Sequence, residues 1–87
     1  MPIDSIQTQT AIDLINQMIG YWTAKIEIEW TKARPDQQTV GYYKEMIQHL
    51  IMERMQCQEL QPSPVIIQKA IDVYGPRLEE VRKLPEA

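Results

Sequence analysis

One cysteine, Cys57, serves the whole 87-residue chain, so no internal disulfide can form. A lone thiol suits a reducing compartment better than an oxidising one. The first residues, Met1-Pro2-Ile3-Asp4-Ser5, lack the positive region and apolar run of a secretory leader. No stretch approaches the roughly 20 consecutive apolar residues that span a bilayer. A cytoplasmic protein without membrane attachment is therefore expected. Basic runs are scarce as well: the longest is Arg82-Lys83, and the net charge is −3. Phosphate neutralisation supplies much of the affinity for nucleic acid, so an acidic chain with no basic run argues against that class of partner. Repeats and low-complexity stretches are absent, and the ten glutamines are scattered, as on solvated helix surfaces.

What is present describes one folded domain. The apolar share is 44% and the charged share 24%, near the average for globular proteins and far from the composition of disordered chains. Eighty-seven residues suffice for one core, not two. A chain this short buries only roughly 60–65% of its unfolded surface. Two tryptophans, four tyrosines and five methionines are a generous apolar supply for so small a core. That surplus predicts self-association.

Proline divides the chain into three segments. In the first, Ile12, Ile15, Ile19, Trp22, Ile26 and Trp30 recur at steps of three and four, with Leu14, Met18 and Tyr21 alongside. A helix over about 5–33 follows, started by Asp4 or Ser5, or by Thr10 with Asp13. The same stretch also alternates from Trp22 to Trp30, apolar at every second position, which is a strand pattern. Its partner would be the short run around 39–43, and an isolated two-stranded hairpin is marginal in water. Asp36 is placed to cap a second helix over about 37–60, striped by Val40, Tyr43, Ile47, Leu50 and Ile51. Gly41 weakens its first turn, so regular helix is expected only from near Tyr42. Ser63-Pro64 is a cap followed by proline at the first helical position, and it opens a third helix over 64–83. Pro76 predicts a kink or break at 75–76. The expected fold is all-α: a long antiparallel helical hairpin with a kinked third helix, paired into a dimeric bundle. An α+β fold with a β-hairpin at about 22–43 is the alternative.

No constellation names a reaction. Glu45, His49, Glu53 and Cys57 follow one another at spacings of four on one helix side, each a metal-ligand type. Dicarboxylate bundle sites instead repeat Glu-x-x-His on two helices, so neither metal nor cofactor is implied. His49 and Cys57 lie roughly 12 Å apart along a helix axis, too far for a nucleophile and its base. Tyr21, Trp22, Trp30, Tyr42 and Tyr43 gather near the joint of the first two helices, among Lys25, Lys32 and Arg34. Aromatics dominate binding hot spots, and Met46, Met52 and Met55 add an adaptable strip. The expected function is a non-enzymatic protein–protein interaction module, an adaptor, regulator or inhibitor. A regulator that stacks nucleic acid on the aromatic and basic end is the alternative.

Overall fold

The computed structural model describes residues 5–59 and 61–83, and among these the regular structure is entirely helical. Helix α1 spans Ser5–Trp30, about 39 Å at 1.5 Å per residue. It buries Ala11, Ile15, Met18 and Trp22 at steps of four, three and four. Thr10 lies inside the helix, its hydroxyl donating to the Ile6 carbonyl at 2.9 Å, which excludes a start at Thr10.

The β-hairpin alternative over 22–43 is overturned, because its first arm is the last two turns of α1. Alternating positions diverge by about 200° on a helix. Trp22 therefore faces the core while Ile28 and Trp30 stand 61% and 50% exposed. Between them the charged Glu29 takes the core position, at 5% exposure. The long helix prevails because tertiary packing of one face, not local pattern, sets helix stability.

α1 stops three residues short of the expected 33. The Thr31 N–H donates to the Ile28 carbonyl at 3.1 Å and the Lys32 N–H to the Glu29 carbonyl at 3.2 Å. These tighter bonds close the last turn, and Pro35 disfavours helical geometry at Arg34. Glu29 then holds the joint. One carboxylate oxygen accepts the Asp36 N–H at 3.1 Å and the other meets Lys32 Nζ at 2.6 Å.

Asp36 caps helix α2, Gln37–Cys57, as expected, accepting from the Gln38 N–H at 2.9 Å and the Thr39 N–H at 3.4 Å. Gly41 does not delay α2, which is helical from Gln37 onward. The described helix ends at Cys57, and the expected limit at 60 lies outside the described residues. Ser63 caps α3, Pro64–Lys69, with Pro64 at its start. There is no break at 75–76. A π turn at Ala70–Tyr74 leads directly into α4, Gly75–Lys83. In an α-helix the Pro76 ring would strike the Asp72 carbonyl. The wider turn, in which the Gly75 N–H donates to the Ala70 carbonyl, takes up that conflict one turn early.

α1 is the centre of the molecule. It packs on α2 along one flank and on α3, the π turn and α4 along the other. α2 touches α3 at one end, but its backbone stays clear of the π turn and α4. The core joins Ala11, Ile15, Met18 and Trp22 to Leu50, Cys57, Ile67, Ala70 and Leu78. With extents of 50 × 25 × 14 Å the molecule is a slab little thicker than one helix. Its radius of gyration is 14.7 Å, against about 12 Å for a compact domain of this length.

Candidate partner-binding site

Between α2 on one side and α3 with the π turn on the other lies a groove floored by α1. Met18 and Trp22 form the floor, Met46 and Leu50 one wall, Ile66 and Tyr74 the other. The larger lobe of the groove is about 410 Å³. A second lobe of about 250 Å³ shares Met18, Trp22, Met46 and Tyr74, and ends at Tyr42, Val73 and Arg77. Tyr42, Met52 and Val73 stand on the rim, each at least half exposed. Each of these rim residues is a large apolar group beside an apolar trough, the arrangement that marks binding surfaces.

Trp22 organises the aromatic end. Its ring meets Tyr21 edge-on at 5.1 Å, Tyr42 edge-on at 6.1 Å and Tyr43 tilted at 5.5 Å between centroids. Edge-to-face contacts at such distances are worth about 0.5–1.5 kcal/mol beyond area burial. Lys25 Nζ sits 5.1 Å above the Tyr21 ring and 6.0 Å above Tyr43, tying α1 to α2 by its charge. The indole N–H of Trp22 is buried without a hydrogen-bond acceptor among the described residues.

Five of the eight residues singled out from sequence thus converge: Tyr21, Trp22, Tyr42, Tyr43 and Lys25. The other three do not. Trp30 enters none of the ring pairs among the described residues. Lys32 is engaged with Glu29, and Arg34 is exposed in the joint. Sequence reading missed the far wall of the groove, Lys69, Tyr74 and Arg77. Its near wall was partly visible in the methionine strip of α2.

A polar clamp crosses the groove. Glu53 on α2 accepts from the Tyr74 hydroxyl with one oxygen and pairs with Lys69 Nζ at 2.7 Å with the other. Lys69 Nζ also lies 5.4 Å above the Tyr74 ring. Burial first, and the bond to Glu53 second, push the Tyr74 phenol above its ordinary value. The hydrogen bond to Glu53 raises Lys69. Both groups hold their protons at neutral pH. Cys57, outside the groove lining, is buried, and burial raises its thiol, with the Glu53 charge adding to the rise. A protonated thiol is a poor nucleophile. The four-residue series on α2 does not converge either. Cys57 faces the core, Glu53 is committed to the clamp, His49 is exposed, and no metal-holding cluster of three occurs among the described residues.

No helix of the described residues is long and apolar enough to cross a membrane. No family model, no curated protein and no solved structure matches the chain.

Proposed function

We propose that this chain is a non-enzymatic interaction module that docks another protein in the groove between α2 and the wall formed by α3 and the π turn. The observation that carries the reading is the open trough itself, with a buried tryptophan in its floor and exposed Tyr42, Met52 and Val73 along its rim. A single helical slab leaves apolar area that a second layer would cover, as stable domains require. The protonated states of Cys57, Lys69 and Tyr74 add support, since none offers an activated nucleophile or base at neutral pH. Cytoplasmic location and self-association belong to the same proposal, resting on the lone thiol and the apolar surplus. The nucleic-acid reading draws less support. Lys32 is neutralised by Glu29, Lys25 is committed to two tyrosine rings, and Trp30 stands apart from the cluster.

The test is capture from native lysate, with and without nuclease, by the wild-type chain and by the rim variant Met52→Glu/Val73→Glu. Both positions are exposed, so the variant keeps its fold. A stoichiometric protein, or a second copy of the chain, retained by the wild type and lost by the variant supports the reading. Equal retention by both, or partners lost to nuclease alone, overturns it.

A further inference from the structure

From the charges along the groove we infer the chemistry of its occupant: an amphipathic helix that carries carboxylates beside its apolar stripe. The inference rests on the docking reading above and goes beyond it by naming the partner. Shape comes first. Two helical walls over a helical floor, tied to each other by the Glu53 clamp, present an apolar seat and rim on which a helix can lay apolar residues at i, i+3, i+4 and i+7. The methionines at 18, 46 and 52 make the seat adaptable to different side chains.

Charge decides the rest. Four titratable or charged side chains of the described residues face the groove apart from the tyrosines: His49, Glu53, Lys69 and Arg77. Glu53 and Lys69 neutralise each other at 2.7 Å. Arg77 is exposed at the mouth of the smaller lobe and forms no ion pair among the described residues. The groove thus carries a local excess of one positive charge within a chain of net charge −3. The charged group of the groove left without a counter-charge among the described residues is a donor, the Arg77 guanidinium at the mouth. An occupant that brings acceptors complements the groove, and one that brings cations meets Arg77 unfavourably. Arginine accepts a carboxylate through two parallel hydrogen bonds, which fixes register as well as sign.

Two synthetic helical peptides discriminate the idea. They share one leucine stripe and differ only in flanking residues, glutamate in one and lysine in the other. Their binding to the full chain is followed by fluorescence polarisation at low salt, alongside sedimentation of the chain alone. The glutamate peptide is expected to bind at least tenfold tighter. Arg77→Glu, at an exposed position, is expected to remove or reverse that preference, and the uncharged Val73→Ser to weaken both peptides. Equal binding of the two peptides, or a preference unchanged by Arg77→Glu, overturns the acidic-helix inference while leaving the groove as a docking site. A stable dimer that excludes both peptides also overturns it, and assigns the groove to a second copy. No binding by either peptide, with a monomer in sedimentation, overturns the docking reading as well.

Discussion

Trp22 shows how one residue can carry packing, strain and recognition together. Its ring is the hub of the aromatic cluster, yet its N–H is buried with no acceptor among the described residues. An unmet buried donor costs about 1–3 kcal/mol. Trp22→Phe deletes that donor along with one ring, so the two effects oppose each other. We expect the variant to unfold within about 1 kcal/mol of the wild type by denaturant titration, because relief of the unmet donor offsets lost burial. Trp22→Ala, which empties the site, should cost about 3–5 kcal/mol. A Phe variant as damaged as the Ala variant would show that the N–H is satisfied in solution. Cys57 behaves as a small apolar residue. Its buried, protonated thiol should resist alkylation under native conditions at pH 7 and react only on unfolding, as read by mass spectrometry with and without denaturant.

Glu29 is the residue that sequence pattern concealed. A carboxylate flanked by Ile28 and Trp30 reads as the polar side of either a strand or a helix, yet it is the one that faces inward. Its position follows from what it bonds, the Lys32 ammonium and the Asp36 N–H, and the latter partner lies seven residues away. The Lys32 hydrogen bond first, and the Asp36 N–H second, hold the Glu29 carboxyl below its ordinary value. Asp36 is lowered as well, by its bonds to Thr39 and Gln38. Lowered carboxyls bind fewer protons in the folded chain than in the unfolded one. Their stabilisation is present above pH about 4.5, the ordinary carboxylate range. It is lost as pH falls through the depressed folded values. Unfolding by urea should therefore become easier below pH 4.5, and Glu29→Gln should flatten part of that acid slope. An unchanged slope in the variant would remove Glu29 from the account.

At the scale of the element, much was legible from local chemistry. Asp36 and Ser63 cap the helices that their positions announced, with Pro64 opening α3. The face of α1 was legible only in part. Ile12 and Ile19 were read as members of its stripe and Met18 as a neighbour, whereas Ala11, Ile15, Met18 and Trp22 are buried and those isoleucines are only partly so. A helix covered on two flanks buries a broad arc, and periodicity alone does not say where that arc is centred. The π turn was likewise beyond local reading. Pro76 announces a conflict, but whether the chain breaks or widens depends on the packing of Ala70 and Leu78 on α1. Gly20 and Gly41 sit inside helices, and a Cβ built at either meets nothing within 4 Å. Gly20→Ala and Gly41→Ala should each stabilise the chain by about 0.5–1 kcal/mol. Thermal melting checks both, and a destabilised variant would reveal a contact of that surface in solution.

At the scale of the whole molecule the groove could not be foreseen, because its walls come from residues 21 and 16 positions apart, Glu53 to Tyr74 and Glu53 to Lys69. No local spacing encodes that meeting. It arises because α2 follows α1 while the third segment crosses to the other flank. The same layout explains why the slab should gain stability from its occupant. A ligand that binds only the folded state stabilises it by about 2.7 kcal/mol at one hundred times its Kd. For a domain of this size, each kcal/mol shifts the Tm by about 4–8 °C. Saturating the groove with the acidic peptide should therefore raise the melting temperature by roughly 10 °C or more. If a second copy fills the groove instead, the Tm of the chain alone should climb with protein concentration over a hundredfold range. A Tm indifferent both to peptide and to concentration would mean that the open face stays open, and that the 14 Å slab is stable as it stands.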